Sequence, residues 1–202
     1  QIFIGREENL KALAAILLPS NMASWDSMPG HGAAIIHAGP GALDLGGTGK
    51  TQLAAEFCQR YGRYFQSVHW INAARGEIKV EIARNGAALE LQSWSSKTSE
   101  QSRLTYTAWA NGAPRLIVLD DPIYPGAVGP LLNSLPKNVR ILVTSRQGGW
   151  QDKLGLVEHA LDVMTPSEGR RLLHKMAPRL EKESDEALNR LGEGLGWLPL
   201  TL

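Results

Sequence analysis

The sequence predicts an α/β fold of three layers, a parallel sheet covered by helices on both faces. Three observations predict it. Segments 67–71, 115–121 and 138–146 are apolar almost without alternation, the pattern of strands buried on both sides. Segments with helical spacing of apolar residues separate these runs, as parallel strands require. The residues that carry chemistry cluster at the carboxyl ends of the runs, where such sheets bind their ligands.

The elements follow in order. Leu10, Leu13, Ile16 and Leu17 mark a helix over 6–18, stopped by Pro19. Segment 19–41 is rich in Ser, Met, Gly and Pro and reads as a loop insertion, with one apolar patch at Ala33-Ala34-Ile35-Ile36. A Gly-rich turn at 46–49 runs into a helix reaching about Tyr61, with Leu53, Ala54 and Phe57 on its inner face. The strand at 67–71 is followed by helices over 76–91 and 98–111, joined by a polar link, then by the strands at 115–121 and 138–146 and a last one within 156–163. From Thr165 the pattern is helical only. Thr165-Pro166-Ser167-Glu168 is a capping box, Leu172, Leu173 and Met176 supply the inner face, and a second helix covers 184–194.

Composition narrows the function classes. The chain has 202 residues, 43% hydrophobic and 20% charged, as in an ordinary globular protein. Lys and Arg number 21 against 20 Asp and Glu, so no broad electrostatic footprint for nucleic acid or an acidic membrane is expected. One cysteine, Cys58, excludes an internal disulfide framework and fits a reducing, cytoplasmic setting; on its helix it reads as a structural thiol. No apolar run is long enough to span a bilayer. The chain opens on Gln1 and ends on Leu198-Pro199-Leu200-Thr201-Leu202, which reads as a segment of a longer protein. The five histidines lack metal-ligand spacing, the tryptophans read as core, and Arg170-Arg171 reads as a solvated face.

Asp44-Leu45-Gly46-Gly47-Thr48-Gly49-Lys50-Thr51 has the setting of a phosphate-binding loop, between an apolar piece and a helix. Glycines let successive backbone N–H groups converge on an anion, and the helix N-terminus adds partial positive charge. Lys50 is placed to reach the β- and γ-phosphates and Thr51 to offer its hydroxyl to Mg²⁺. Asp44 stands where the strict pattern has its first glycine; a carboxylate there is expected to reduce nucleotide affinity. Leu116-Ile117-Val118-Leu119-Asp120-Asp121 is an apolar strand with acids at its tip: Asp120 for the metal, Asp121 to polarise an attacking water. Val143-Thr144-Ser145-Arg146 ends the next strand, with Arg146 placed to sense the γ-phosphate. No Asn-Lys-x-Asp segment is present to read guanine.

Phe3-Ile4-Gly5-Arg6-Glu7, the Gly46–Thr51 loop, the strand to Asp121, Thr144-Ser145-Arg146 and Gly196-Trp197-Leu198-Pro199-Leu200 occur in that order over nearly the whole chain. Together they resemble the NB-ARC domain of the STAND class of P-loop NTPases, signal-transducing ATPases. The last motif resembles the family's G-L-P-L, with Trp197 inserted. The resemblance implies a parallel-sheet P-loop NTPase domain over 1–164, with 19–41 as an insertion, and the beginning of a helical subdomain over 165–202. It implies ATP or ADP with Mg²⁺ as ligands. Ile4 and Arg6 would lie along the adenine and ribose. Gly46, Gly47, Thr48, Gly49, Lys50, Thr51 and the adjoining Gln52 would lie at the phosphates, Arg146 at the γ-phosphate, and Pro199 against adenine. Thr51 and Asp120 would hold the metal, and Lys50, Asp121 and Arg146 would serve catalysis.

The function expected is a nucleotide-controlled switch with slow ATP hydrolysis, self-associating or coupled to an effector domain outside this segment. Two alternatives are a P-loop kinase or ATPase working by turnover, and a scaffold whose site Asp44 has weakened.

Overall fold

The computed structural model describes residues 3–19, 25, 32–42, 46–75, 77–91, 94–111, 113–136 and 138–202. Asp44 and most of 20–31 lie outside the described residues, so the expected effect of Asp44 has no structural counterpart here.

Five strands form one sheet: β1 (Ala33–Ala38), β2 (Ser67–Asn72), β3 (Arg115–Asp120), β4 (Val139–Thr144) and β5 (Val157–Leu161). Their spatial order is β2-β3-β4-β1-β5, and every neighbouring pair is parallel. The helices are α1 (Glu7–Leu17), α2 (Lys50–Tyr61), α3 (Ile78–Ala87), α4 (Thr98–Ala110), α5 (Pro125–Ser134), α6 (Gln151–Leu154), α7 (Pro166–Met176) and α8 (Asp185–Gly194). This is the expected three-layer arrangement. Ile35, Ile117, Leu119, Ile141 and Val143 face one helical layer, with Trp109, Val128 and Leu131. The alternating residues Ala34, Ile36, Leu116, Val118 and Leu142 face the other, with Leu10, Leu13, Leu53 and Phe57. The central strand β4 is buried at every position.

Three expectations are corrected. The reading of 19–41 as a loop fails at residues 33–38, which form β1, between β4 and β5. Five of its six residues are Ala or Ile and four of the six are buried, but a run this short beside Gly and Pro lacks a clear strand signature. Met176 is exposed rather than part of the inner face of α7; Leu173 is buried there. Arg170 is not a solvated residue: its Nη1 donates to Asn189 Oδ1 at 2.6 Å and its Nε lies 3.3 Å from Asp185 Oδ2, linking α7 to α8. The capping box forms as expected, with Glu168 N donating to Thr165 Oγ1 at 3.3 Å and Thr165 N to Glu168 Oε2 at 3.0 Å.

Trp109 and Trp150 are core residues, and burial pushes the Cys58 thiol up to about 12, so it is inert at neutral pH. No helix among the described residues is long and apolar enough to cross a membrane.

His69 on β2 is buried against Trp109, with ring centroids 4.8 Å apart, and its Nε2 lies 2.9 Å from Ser67 Oγ. Burial holds its imidazole below the ordinary value of 6.5; Arg115 acts in the same direction and a hydrogen bond with Asn85 opposes them. The unfolded chain therefore binds a proton at a pH where the folded chain does not, and stability falls as pH drops through and below 6.5. Urea unfolding between pH 7.5 and about 5 should show that loss, with a shallower slope in His69→Gln. A residual slope is expected because His159, shifted in the same direction mainly by burial, remains.

Candidate functional site

The strand register sets the site. Asn72 pairs with Asp120, Asp120 with Thr144, and Ile36 with Thr144, so the tips of β2, β3, β4 and β1 lie side by side. β4 sits between β1 and β3, and its final hydroxyl stands between the Gly-rich loop and the acidic tip. Gly49, at φ 92, is the N-cap of α2, and Lys50 and Thr51 are its first residues. Both Gly47 (φ 87) and Gly49 adopt left-handed conformations that side chains resist, which accounts for glycine at these two positions.

Gly46, Gly47, Lys50, Thr51, Asp120, Asp121 and Arg146 line one cavity of about 290 Å³, together with Asn72, Ala74 and Thr144. Asp120 Oδ1 accepts from Thr51 Oγ1 at 2.9 Å and from Thr144 Oγ1 at 2.6 Å. Thr144 Oγ1 also accepts from the Asp121 amide at 3.0 Å, and that amide donates to Thr144 O at 3.2 Å. These bonds hold Asp121 at φ 52, a conformation uncommon outside glycine. Its Oδ2 lies 3.5 Å from Arg146 Nη2. Lys50 Nζ donates to Thr48 Oγ1 at 3.2 Å. Burial lowers the Lys50 pKa, Asp121 opposes that shift, and Arg146 adds to it.

Two cations and two carboxylates thus face the cavity, beside backbone amides at a helix N-terminus, a set that matches an anionic phosphate chain joined by a divalent cation. The Thr51 hydroxyl and Asp120 carboxylate are hard oxygen donors in direct contact, the donor chemistry Mg²⁺ selects.

The remaining expected residues fall elsewhere. Thr48 is buried beneath the loop as the Lys50 acceptor. Gln52 does not line the cavity, and its side-chain nitrogen is buried without a hydrogen-bond partner among the described residues. Pro199 reaches the loop, its Cγ 3.9 Å from where a Gly49 side chain would begin. Ile4 and Arg6 are not among the cavity residues. Arg6 is bound instead to the β5–α7 connection, its Nη2 donating to Asp162 O at 2.7 Å and its amide to Glu168 Oε1 at 2.9 Å.

Asn72, Ala74 and Thr144 line the cavity without a role read from the sequence, and the contact of Thr144 with Asp120 depends on strand order. A hydroxyl ending an apolar strand is unremarked until that strand is known to adjoin the acidic one.

The sequence matches no family model and no curated protein. In structure the chain is similar to Cdc6p from Pyrobaculum aerophilum, with a TM-score of 0.66 at 19% identity, covering 96% of this chain and 56% of that one. It is also similar to a signal transduction ATPase with numerous domains (STAND) protein with a tetratricopeptide repeat sensor from Pyrococcus horikoshii. That TM-score is 0.59 at 14% identity, covering 98% of this chain and 28% of that one. The chain therefore spans about half the length of the first and just over a quarter of the second. The fold is a five-stranded parallel sheet in three α/β/α layers, and the likeness to these two structures is one of fold.

Proposed function

We propose that the chain is an ATP/ADP-binding switch module of the STAND type, with an NB-ARC-like organisation and slow ATP hydrolysis. The observation that carries this reading is the convergence of Lys50, Thr51, Asp120, Asp121 and Arg146, drawn from three separate segments, on one cavity beside the Gly-rich loop. The STAND protein among the structural neighbours supports it, as does the order of motifs from Gly5-Arg6 to Pro199. In this reading residues 1–164 are the nucleotide-binding unit and 165–202 begin a helical subdomain.

The geometry supports a role for each residue. The loop amides and Lys50 bind the phosphates. Thr51 and Asp120 hold Mg²⁺, which when bound neutralises phosphate charge. Asp121 takes the proton of the attacking water, and Arg146 contacts the γ-phosphate. Asp121 and Arg146 face each other across 3.5 Å, so each must leave the other to act. An exposed pair of this kind contributes about 1 kcal/mol at most, so it slows the step only modestly. Pro199 against the loop links the helices α7 and α8 to the nucleotide. The longer neighbours support placing this module in a larger protein, where self-association or an effector domain supplies the output.

The test is to denature the purified protein, identify any released nucleotide, and titrate nucleotide-free protein with Mg·ADP and Mg·ATP by calorimetry. Binding of both, with turnover well below about 1 s⁻¹, is expected; turnover faster than that marks a working ATPase. No released nucleotide and no binding heat would sink the reading.

A further inference from the structure

We propose that Trp197 and Leu200 are positioning residues for the phosphate loop, tying one of its peptide planes to the packing of α7 against α8. The proposal deepens the nucleotide-site reading and rests on it for the ligand.

After α8 the chain turns back through Gly196 (φ 66) and Trp197 (φ 51), and a tryptophan in the left-handed region must be held there by its surroundings. Trp197 N donates to Gly192 O at 2.9 Å, and Trp197 O accepts from Met164 N at 2.9 Å. Its indole is buried in a slot made by Gly169 of α7 and Gly192 of α8; a Cβ on either glycine would overlap the ring. Both helices pack on its ring and the residue leading into α7 bonds to its carbonyl, so all three converge on one residue.

Three residues further on, Leu200 N donates to Gly47 O at 3.3 Å. The Leu200 Cβ is 2.8 Å from where a Gly47 Cβ would stand. In a trans peptide the carbonyl and the next N–H point in opposite directions. Anchoring the Gly47 carbonyl on Leu200 therefore turns the Thr48 N–H away from Leu200 and fixes that plane. Gly47 has little conformational preference of its own, so an outside partner decides its orientation. Loop amides are the groups that bind an anion, and their orientation is part of the site's preorganisation. The Leu200 side chain is 80% exposed, so its own burial contributes little to keeping it on the loop. Trp197 on one side, and Thr201 on the other with its Oγ1 donating to Leu195 O at 2.8 Å, hold this stretch on the end of α8.

Hydrogen exchange of nucleotide-free protein, read over Gly46–Thr51, tests the coupling. Gly192→Ala, which forces the indole out, is expected to speed loop exchange about tenfold. Trp197→Leu should act in the same direction, and both should weaken Mg·ADP about tenfold. In the pair Gly192→Ala/Trp197→Leu the smaller side chain leaves room for the new methyl, so loop protection should recover towards the parent. Loop exchange unchanged in both single variants, or a double variant no better protected than Gly192→Ala, overturns the proposal. Should Gly192→Ala open the helices, exchange across 166–194 reports it and Trp197→Leu carries the test. A parent protein that does not bind Mg·ADP would refute the nucleotide-site reading, while the exchange comparison, made without nucleotide, still decides the coupling.

Discussion

Replacing Lys50 with alanine is expected to weaken Mg·ADP and Mg·ATP binding by about a hundredfold or more, with little change in fold stability. Hydrogen bonds between a charged group and a phosphate contribute on the order of 1.5–3 kcal/mol each, and about 2.7 kcal/mol corresponds to a hundredfold in affinity. Lys50 is poised for such contacts. It opens α2, its ammonium faces the cavity, and among the described residues its one side-chain hydrogen bond is to Thr48 Oγ1, a neutral acceptor that a phosphate oxygen easily replaces. The burial that lowers its pKa also means that an anionic ligand meets a cation less shielded by water. Removing the side chain from the free protein leaves no buried partner charge behind among the described residues, so the unfolding free energy should move by no more than about 0.5 kcal/mol. Lys50→Arg should recover little, because the planar guanidinium is larger and presents its donors in a fixed fork. Calorimetry on the parent and both variants checks this. Equal affinities in parent and Lys50→Ala would remove the loop from the binding site.

The central sheet was legible in the sequence because burial leaves a strong imprint there. β3 and β4 are covered by helices on both faces, so nearly every residue from Leu116 to Leu119 and from Ile141 to Val143 had to be apolar. β1 is buried as thoroughly at Ala34, Ile35 and Ile36, but small residues and nearby glycines hide it, and its length gives no periodicity to count. α5 escaped for a different reason. It carries Pro125, Gly126, Gly129 and Pro130, residues that usually mark turns, yet Pro125 sits in its first turn and Val128, Leu131 and Leu132 pack it down. Tertiary contacts override propensity there.

The site was legible where one short segment carries the chemistry, as in Gly49-Lys50-Thr51 and Asp120-Asp121. Where the role arises between segments it was not. Thr144 matters because β4 lies between β1 and β3, and Trp197 because two glycines on different helices leave room for its ring. For the N-terminal motif, Ile4 and Arg6 were placed along the nucleotide by resemblance alone; the structure shows Arg6 Nη2 bonded to Asp162 O and the Arg6 amide to Glu168 Oε1.

Asp121→Asn is expected to cut ATP hydrolysis by about 10²–10³ while leaving Mg·ATP affinity within about threefold, the signature of a lost general base. The substitution is isosteric, and Asn tolerates the left-handed backbone that this position requires at φ 52. The amide bonds to Thr144 are made by the backbone and persist. The ion pair with Arg146 is lost, but both side chains are largely exposed (67% and 41%), so its contribution to stability is small. On the proposed reading, the variant removes a carboxylate that can accept a proton beside the γ-phosphate. Asp120→Asn provides the contrast: its carboxylate is bonded to Thr51 and Thr144, so its loss should weaken the Mg²⁺ dependence of binding as well as hydrolysis. Single-turnover hydrolysis and calorimetry on both variants separate the two acids. If Asp121→Asn hydrolyses ATP at the parent rate, Asp121 is not the base. If it loses affinity and turnover together, the residue belongs to the binding of the phosphates rather than to the chemical step.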